Sequence, residues 1–238
     1  MVTYDRPGYG GSDRNKGRPV AACAGDVAAI ADALGIGRFS VAGGSGGGPH
    51  ALAVAALLGD RIARAACVGG VAPYTELGED FFTGMDEQNV VEFRWALEGE
   101  ERLAGELERK AHHRVRDIAS GPGAVLAKFE LPESDRKVLA RQDFAEVIRQ
   151  SLAEELRHGP QGWVDDDLAF VSPWAFCPAT IAVPTQVWYG THDVLVPPGH
   201  GQWIAGNVPG SITRLNELGH MGDPDADFAE LLGWLTSA

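Results

Sequence analysis

Val41-Ala42-Gly43-Gly44-Ser45-Gly46-Gly47-Gly48-Pro49-His50 is the stretch on which the reading of this chain turns. A β-prone run, Phe39 to Ala42, stops at small residues around one serine, and an alanine-rich run from Ala51 to Leu58 follows with helical character. Strand, sharp Gly-x-Ser-x-Gly turn (Gly43 to Gly47) and helix predict a nucleophile elbow at Ser45. A serine at a strained turn needs neighbours without side chains, so that strand and helix can approach and the backbone can reach unusual φ/ψ. The next amide, that of Gly46, is then aimed from a helix N-terminus at the same space, where partial positive charge favours an oxyanion. Other glycine-rich loops fit less well. A phosphate loop wants Gly-Lys-Ser/Thr, and no lysine is present; a dinucleotide loop wants an acid after the next strand, and Ala65 to Gly70 is followed by valine.

Length and charge bound the reading. A chain of 238 residues suffices for one large α/β domain with a substantial core. A net charge of −13 argues against nucleic acid or an anionic membrane as partner. No apolar run approaches the roughly twenty residues of a membrane span, and Met-Val-Thr-Tyr-Asp-Arg-Pro lacks the basic start and apolar centre of a signal peptide. Cys23, Cys67 and Cys177 are odd in number and far apart, which suggests neither a disulfide framework nor a zinc site. The expectation is a reduced, cytoplasmic protein with no metal and no cofactor.

Val2-Thr3-Tyr4 reads as a strand ending at Asp5, before a turn-rich loop from Arg6 to Ser12. Pro19 opens a predicted helix through Ala33, with Val20, Cys23, Val27, Ile30 and Leu34 at helical spacing and Gly35 as a stop. The elbow strand, its helix and a strand from Ala65 to Gly70 complete an alternation that implies a parallel sheet with helices on its faces. From Ala72 to Ala182 the alternation gives way to helices. Glu98 to Ala119 places Leu103, Leu107, Ala111, Val115 and Ile118 on one face, with Glu98/Arg102 and Glu106/Lys110 as exposed pairs. Leu131-Pro132-Glu133-Ser134 starts another helix, and the run through Phe144, Val147, Ile148, Leu152 and Leu156 stops at Gly159-Pro160. The sheet resumes at Pro184 to Tyr189; Pro198 to Val208 reads as helix and Ser211 to Leu215 as strand. Ala226 to Thr236 reads as a closing helix with Phe228, Leu231, Leu232 and Leu235 inward. The divisions expected are a core in two parts, residues 1–71 and 183–238, with a helical cap, residues 72–182, inserted between them.

Ser45, Asp193 and His220 each follow a predicted strand, and parallel strands place their carboxyl ends at one sheet edge. A serine hydroxyl is a poor nucleophile until an imidazole takes its proton, and the imidazole needs a carboxylate to fix its tautomer and stabilise its charge. The chain order Ser, Asp, His is that of α/β-hydrolases, not of chymotrypsin or subtilisin.

The chain resembles the α/β-hydrolase superfamily. The likeness rests on Asp5-Arg6-Pro7-Gly8-Tyr9-Gly10-Gly11-Ser12, Gly43 to Gly47, Gly190-Thr191-His192-Asp193 with Val196-Pro197, and Gly219-His220. It is nearest to the cofactor-free esterase, lactonase and proline-iminopeptidase-like branch. The resemblance implies Ser45 as nucleophile, His220 as general base, Asp193 as its orienting acid and the Gly46 amide as an oxyanion donor, with Arg6 and Ser12 structural. It implies a serine hydrolase of a small ester or amide acting through an acyl-enzyme. The alternatives are a proline-iminopeptidase-like aminopeptidase and a non-catalytic hydrolase-fold protein that binds a small ligand.

Among the other histidines, His50 is expected to pack near the site, His192 to precede the acid position, and His112 and His113 to face solvent. Trp95, Trp163, Phe170 and Trp174 are candidates for a pocket lining, with core packing the expectation for most. Asp165-Asp166-Asp167 reads as a helix N-terminus, with amine recognition as the alternative. The superfamily has three strands and a helix before the loop at Asp5, and its third strand lies beside the elbow strand. An N-terminally truncated fold is therefore expected here, with an open slot at that place, no His-Gly loop for a second oxyanion donor, and a longer functional protein.

Overall fold

The structure, a computed structural model, describes residues 1–120 and 129–237. Strands β1 (Phe39–Gly44), β2 (Ile62–Val68), β3 (Thr185–Gly190) and β4 (Ile212–Asn216) form a parallel sheet in the order β1-β2-β3-β4. Helix α1 (Cys23–Ala33) precedes β1, α2 (Gly47–Leu57) links β1 to β2, α9 (Pro198–Asn207) links β3 to β4, and α10 (Ala226–Thr236) closes the chain. Between β2 and β3 come α3 (Tyr74–Leu77), α4 (Glu87–Glu98), α5 (Glu100–Ser120), α6 (Glu133–Leu139), α7 (Gln142–Glu155) and α8 (Gln161–Val171). The α/β class and the helical interruption read from the sequence are both present.

Burial explains the central elements. Ala65, Ala66 and Cys67 of β2 and Thr185 to Trp188 of β3 are buried, as expected of parallel strands covered on both faces. Helix α2 is apolar all round and buried from Gly48 to Ala55, so it sits inside the core and not on its rim. It packs on β1 and β2 and against α1. The inserted helices have a core of their own: Leu103 and Leu107 of α5 are fully buried beside Ala96, Ala111, Leu156, Trp163 and Val164. Val115 and Ile118, expected on the same face, lie outside the residues whose side chains are described.

Three expectations are corrected. Val2-Thr3-Tyr4 joins no sheet, and Met1, Val2 and Thr3 are exposed. A strand is held by ladder bonds to a neighbour, and a groove of 570 Å³, lined by Tyr4, Val27, Ile30, Val41 and Gly43 among others, separates this segment from β1. Of the four side chains expected inward in α10, Leu231 and Leu235 are partly buried, while Phe228 is 51% and Leu232 36% exposed. The helix packs on β1 and β2 along a narrow stripe, where Ser40 Oγ donates to the Leu235 carbonyl at 2.7 Å, and it reaches β4 through polar side chains, Glu230 pairing with Arg214 at 3.0 Å. Lys110 pairs with Glu92 at 2.8 Å instead of Glu106, which takes Arg102 and Arg109, both at 2.6 Å.

The glycines after Ser45 are not equivalent. A Cβ at Gly48 would stand 2.7 Å from both Cys67 Sγ and the Gly70 backbone, whereas one at Gly47 meets nothing within 4 Å. Gly48→Ala should therefore lower the unfolding free energy by roughly 1–3 kcal/mol, the usual effect of overpacking a dense core. Gly47→Ala should be neutral or stabilising by up to about 1 kcal/mol. Urea denaturation of the two variants checks the contrast, and equal losses would contradict it.

Candidate functional site

Ser45 lies between the end of β1 and the start of α2 with φ 51°, a left-handed conformation in a residue that is not glycine. Two main-chain bonds hold it: its N–H donates to the Val68 carbonyl at 2.8 Å, and its carbonyl accepts from Gly48 N at 2.9 Å. Gly43 permits this, since a Cβ there would collide with the Gly47 carbonyl. Gly46 is the N-cap of α2, so its amide is among the donors that a helix start leaves without an intrahelical acceptor.

Asp193 and His220 are joined directly. His220 Nδ1–H donates to Asp193 Oδ2 at 2.7 Å, and the other carboxylate oxygen accepts from the Leu195 and Val196 amides, each at 2.9 Å. Asp193 is buried and His220 is 11% exposed; Asp193 sits in the turn after β3 while His220 sits in the loop after β4. Burial alone would push the imidazole down. The hydrogen bond and charge of Asp193, with the charge of Asp135, more than offset this and hold His220 above the ordinary histidine value. Gly69, just past β2, lies against the pair: a Cβ there would be 3.3 Å from His220 Cε1. Ser45 is bonded to Val68, the residue before Gly69, so all three residues gather at one sheet edge. Among the described residues neither Ser45 Oγ nor His220 Nε2 makes a hydrogen bond.

Ser45 and Gly46 open into a pocket of 540 Å³. Its opposite wall is one face of α8, where Trp163, Asp166, Asp167 and Phe170 follow helical spacing. The acidic run is not a helix N-terminus, because Asp165, Asp166 and Asp167 lie mid-helix and are buried. Charges from the N-terminal loop make this possible. Arg14 grips Asp165 with two bonds of 2.8 Å, and Asp166 is bound by Arg6, by Arg18 at 2.5 Å and by Tyr9 Oη at 2.9 Å. Burial pushes Asp166 up, and these cations more than reverse it. At Asp167 the one cation acting, Lys110, is outweighed. Burial, with the charges of Glu92 and Asp166, drives its carboxyl well above the usual range, and its Oδ2 has no hydrogen-bond partner among the described residues.

Sequence reasoning passed over Arg18 and Asp135, and it underrated His50. His50 Nδ1–H donates to the Gly46 carbonyl at 2.8 Å while Nε2 faces Arg18 at 3.4 Å, so a neutral ring braces the elbow. Its position one turn after Gly46 was the available signal. Trp163 and Phe170 line the pocket, whereas Trp174 is in the core and Trp95 lies under Lys110. His192 bonds the Glu217 carbonyl, and His112 is exposed. Among the described residues no group of three or more His, Cys, Asp or Glu is arranged to hold a metal, and no helix is long and apolar enough to cross a membrane.

This chain belongs to the alpha/beta hydrolase fold family, whose profile matches residues 1–221. A search of curated proteins gave no match. The chain is similar in structure to an enol-lactonase from Burkholderia xenovorans (22% identity, TM-score 0.64, 98% of this chain and 80% of that one). It is similar to a thermophilic esterase from Thermogutta terrifontis, solved with malate bound (22%, 0.62, 97% and 77%), and to a bromoperoxidase from Bacillus anthracis (21%, 0.66, 98% and 79%). At these identities each likeness speaks to the fold.

The buried histidines set a pH dependence. Burial pushes His50 and His200 down to about 4, so below the unfolded value of about 6.5 the unfolded chain takes up protons that the folded chain refuses. Stability should fall as the pH drops from about 6.5 to about 4, each ring contributing up to about 1.4 kcal/mol per pH unit. His220 has the opposite sign, its contribution being lost as the pH rises through its raised value. Urea unfolding across this range checks the slope, and His200→Gln should make it shallower; an unchanged slope would contradict the assignment.

Proposed function

We propose that this protein is a serine hydrolase of small esters or amides. The observation that carries the reading is the Asp193–His220 pair, bonded at 2.7 Å beside the strained Ser45 elbow. Its imidazole is oriented as a general base requires: Nδ1 is committed to the carboxylate, which leaves Nε2 to take a proton. Ser45 Oγ loses its proton to Nε2 and bonds to the substrate carbonyl carbon, and the carbonyl oxygen gathers negative charge beside the Gly46 amide. The bond to the leaving group then breaks as imidazolium returns the proton to it. Water repeats the sequence on the acyl-enzyme and frees Ser45. The bond from Ser45 Oγ to Nε2 has to form in the substrate complex; catalytic hydrogen bonds often tighten only there. The inserted helices act as a cap, with α8 walling the pocket over the serine.

A second reading concerns the substrate's acyl part. Asp167 Oδ2 is buried, unpartnered among the described residues and on the wall of the pocket that holds Ser45, where a substrate ammonium group would favour ionisation of a carboxyl that burial otherwise keeps neutral. That favours the aminopeptidase alternative, in which a substrate amine is held while its carbonyl is attacked.

A fluorophosphonate probe should label the wild-type protein stoichiometrically and Ser45→Ala not at all. Asp193→Asn should lose on the order of a thousandfold or more in kcat on short aryl esters. Asp167→Asn should raise KM for amine-bearing acyl substrates while leaving neutral acyl esters unchanged. Labelling that survives Ser45→Ala would contradict the first reading, and equal effects on charged and neutral substrates the second.

A further inference from the structure

The loop that carries His220 is held from two sides, and only one of them is Asp193. Three consecutive amides, those of Gly219, His220 and Met221, donate to the first turn of α6: Gly219 N to Ser134 Oγ at 3.0 Å, His220 N to Asp135 Oδ2 at 2.9 Å, and Met221 N to Asp135 Oδ1 at 3.1 Å. The residues are 85 and 86 positions apart in sequence, so the inserted helices grip the core at the base itself; further along the same loop Arg141 pairs with Asp225 at 2.7 Å, at the surface. Gly219 admits the grip, because a Cβ there would collide with the Asp135 carboxylate.

Asp135 is fully buried, and among the described residues it makes no ion pair with arginine or lysine. A buried carboxylate without a cation is costly unless hydrogen bonds and a nearby charge compensate it. Burial, with the charge of Asp193, holds its carboxyl above the usual range; the two amides oppose this, and the remaining favourable charge is His220 itself. The charged groups that face His220 are Asp193, from the turn after β3, and Asp135, from α6; the β2 end contributes only Gly69. A serine or asparagine would satisfy one of the two amides but not both, and neither carries a charge, so the carboxylate also has a use beyond hydrogen bonding. That use arises when the imidazole becomes positive.

We propose that Asp135 is a positioning residue for His220: from α6 it fixes the loop that carries the base, and its buried charge favours the imidazolium formed in turnover. The inference rests on the hydrolase reading above. Its consequence is that the base is correctly placed only while the inserted helices are seated on the core.

Steady-state kinetics on a short aryl ester across pH, with thermal melts and fluorophosphonate labelling of each variant, tests this. Asp135→Asn keeps the shape, removes the charge and turns one amide acceptor into a donor. Its kcat should fall at least about tenfold with KM within about threefold, the loss expected when a transition-state interaction is removed. The acid limb of kcat/KM should also move to lower pH, since that limb reports the free base. Asp135→Glu, which keeps the charge and misaligns the amides, should lower kcat with the acid limb in place. Ser134→Ala should cost only a few-fold. Ser45-dependent labelling in the wild type, with kcat and acid limb unchanged in Asp135→Asn, would overturn this proposal alone. Failure of both Asp135 variants to fold would also overturn it, by assigning the residue to the fold. Absence of Ser45-dependent labelling in the wild type would remove the hydrolase reading and this proposal together.

Discussion

The left-handed backbone of Ser45 is the constraint to which the neighbouring structure is fitted. A non-glycine residue in that region costs of order 1–3 kcal/mol and persists only where its surroundings over-determine it. Here they do. The parallel register of β1 and β2 runs past the strand end into the Ser45–Val68 bond, and α2 starts two residues later inside the core. Gly43 lets the turn close, Gly48 lets α2 settle on Cys67 and Gly70, and His50 ties the first turn back to Gly46. The strain places a hydroxyl and an amide at the same edge where β3 and β4 deliver Asp193 and His220.

The second constraint is electrostatic. The loop from Arg6 to Arg18 is fastened to α8 by ion pairs to buried carboxylates as well as by apolar packing, and the Arg18–Asp166 pair is buried on both sides. Such pairs gain little over a well-packed apolar alternative, yet losing one partner typically costs about 3–5 kcal/mol because a buried charge is stranded. They therefore specify where α8 sits more than how stable the protein is. Because α8 walls the pocket over Ser45, the same pairs define the space offered to a substrate. Asp135 repeats the device at the other end of the site, with the charge directed at His220 instead of an arginine.

The elements that the sequence made legible are those with local signals. The elbow could be read because a strand, a serine among glycines and an alanine-rich helix lie within twenty residues. Asp193 and His220 could be read because each follows an apolar run of strand length, and parallel strands end together. What was misread depends on partners distant in sequence. Val2 to Tyr4 has strand composition, but a strand is defined by the neighbour it bonds. Asp165 to Asp167 looked like a helix start because three carboxylates are rarely buried, and Arg6, Arg14 and Arg18, about 150 residues earlier, make the burial of Asp165 and Asp166 tolerable, while Asp167 is kept neutral. Asp135 carried no local mark, because its acceptors face a loop 85 residues further on. The outward Phe228 and Leu232 of α10 show the limit of periodicity, which finds an apolar face and not the width of the surface available to cover it.

The central claim is that Ser45 carries the acyl group. Rapid mixing of the wild-type protein with an excess of a 4-nitrophenyl ester, followed by acid quench and peptide mass mapping, measures this directly. The account predicts a burst of nitrophenol equal in amount to the protein and an acyl adduct on the peptide that contains Ser45. Turnover without a burst, or an adduct on another residue, would contradict it.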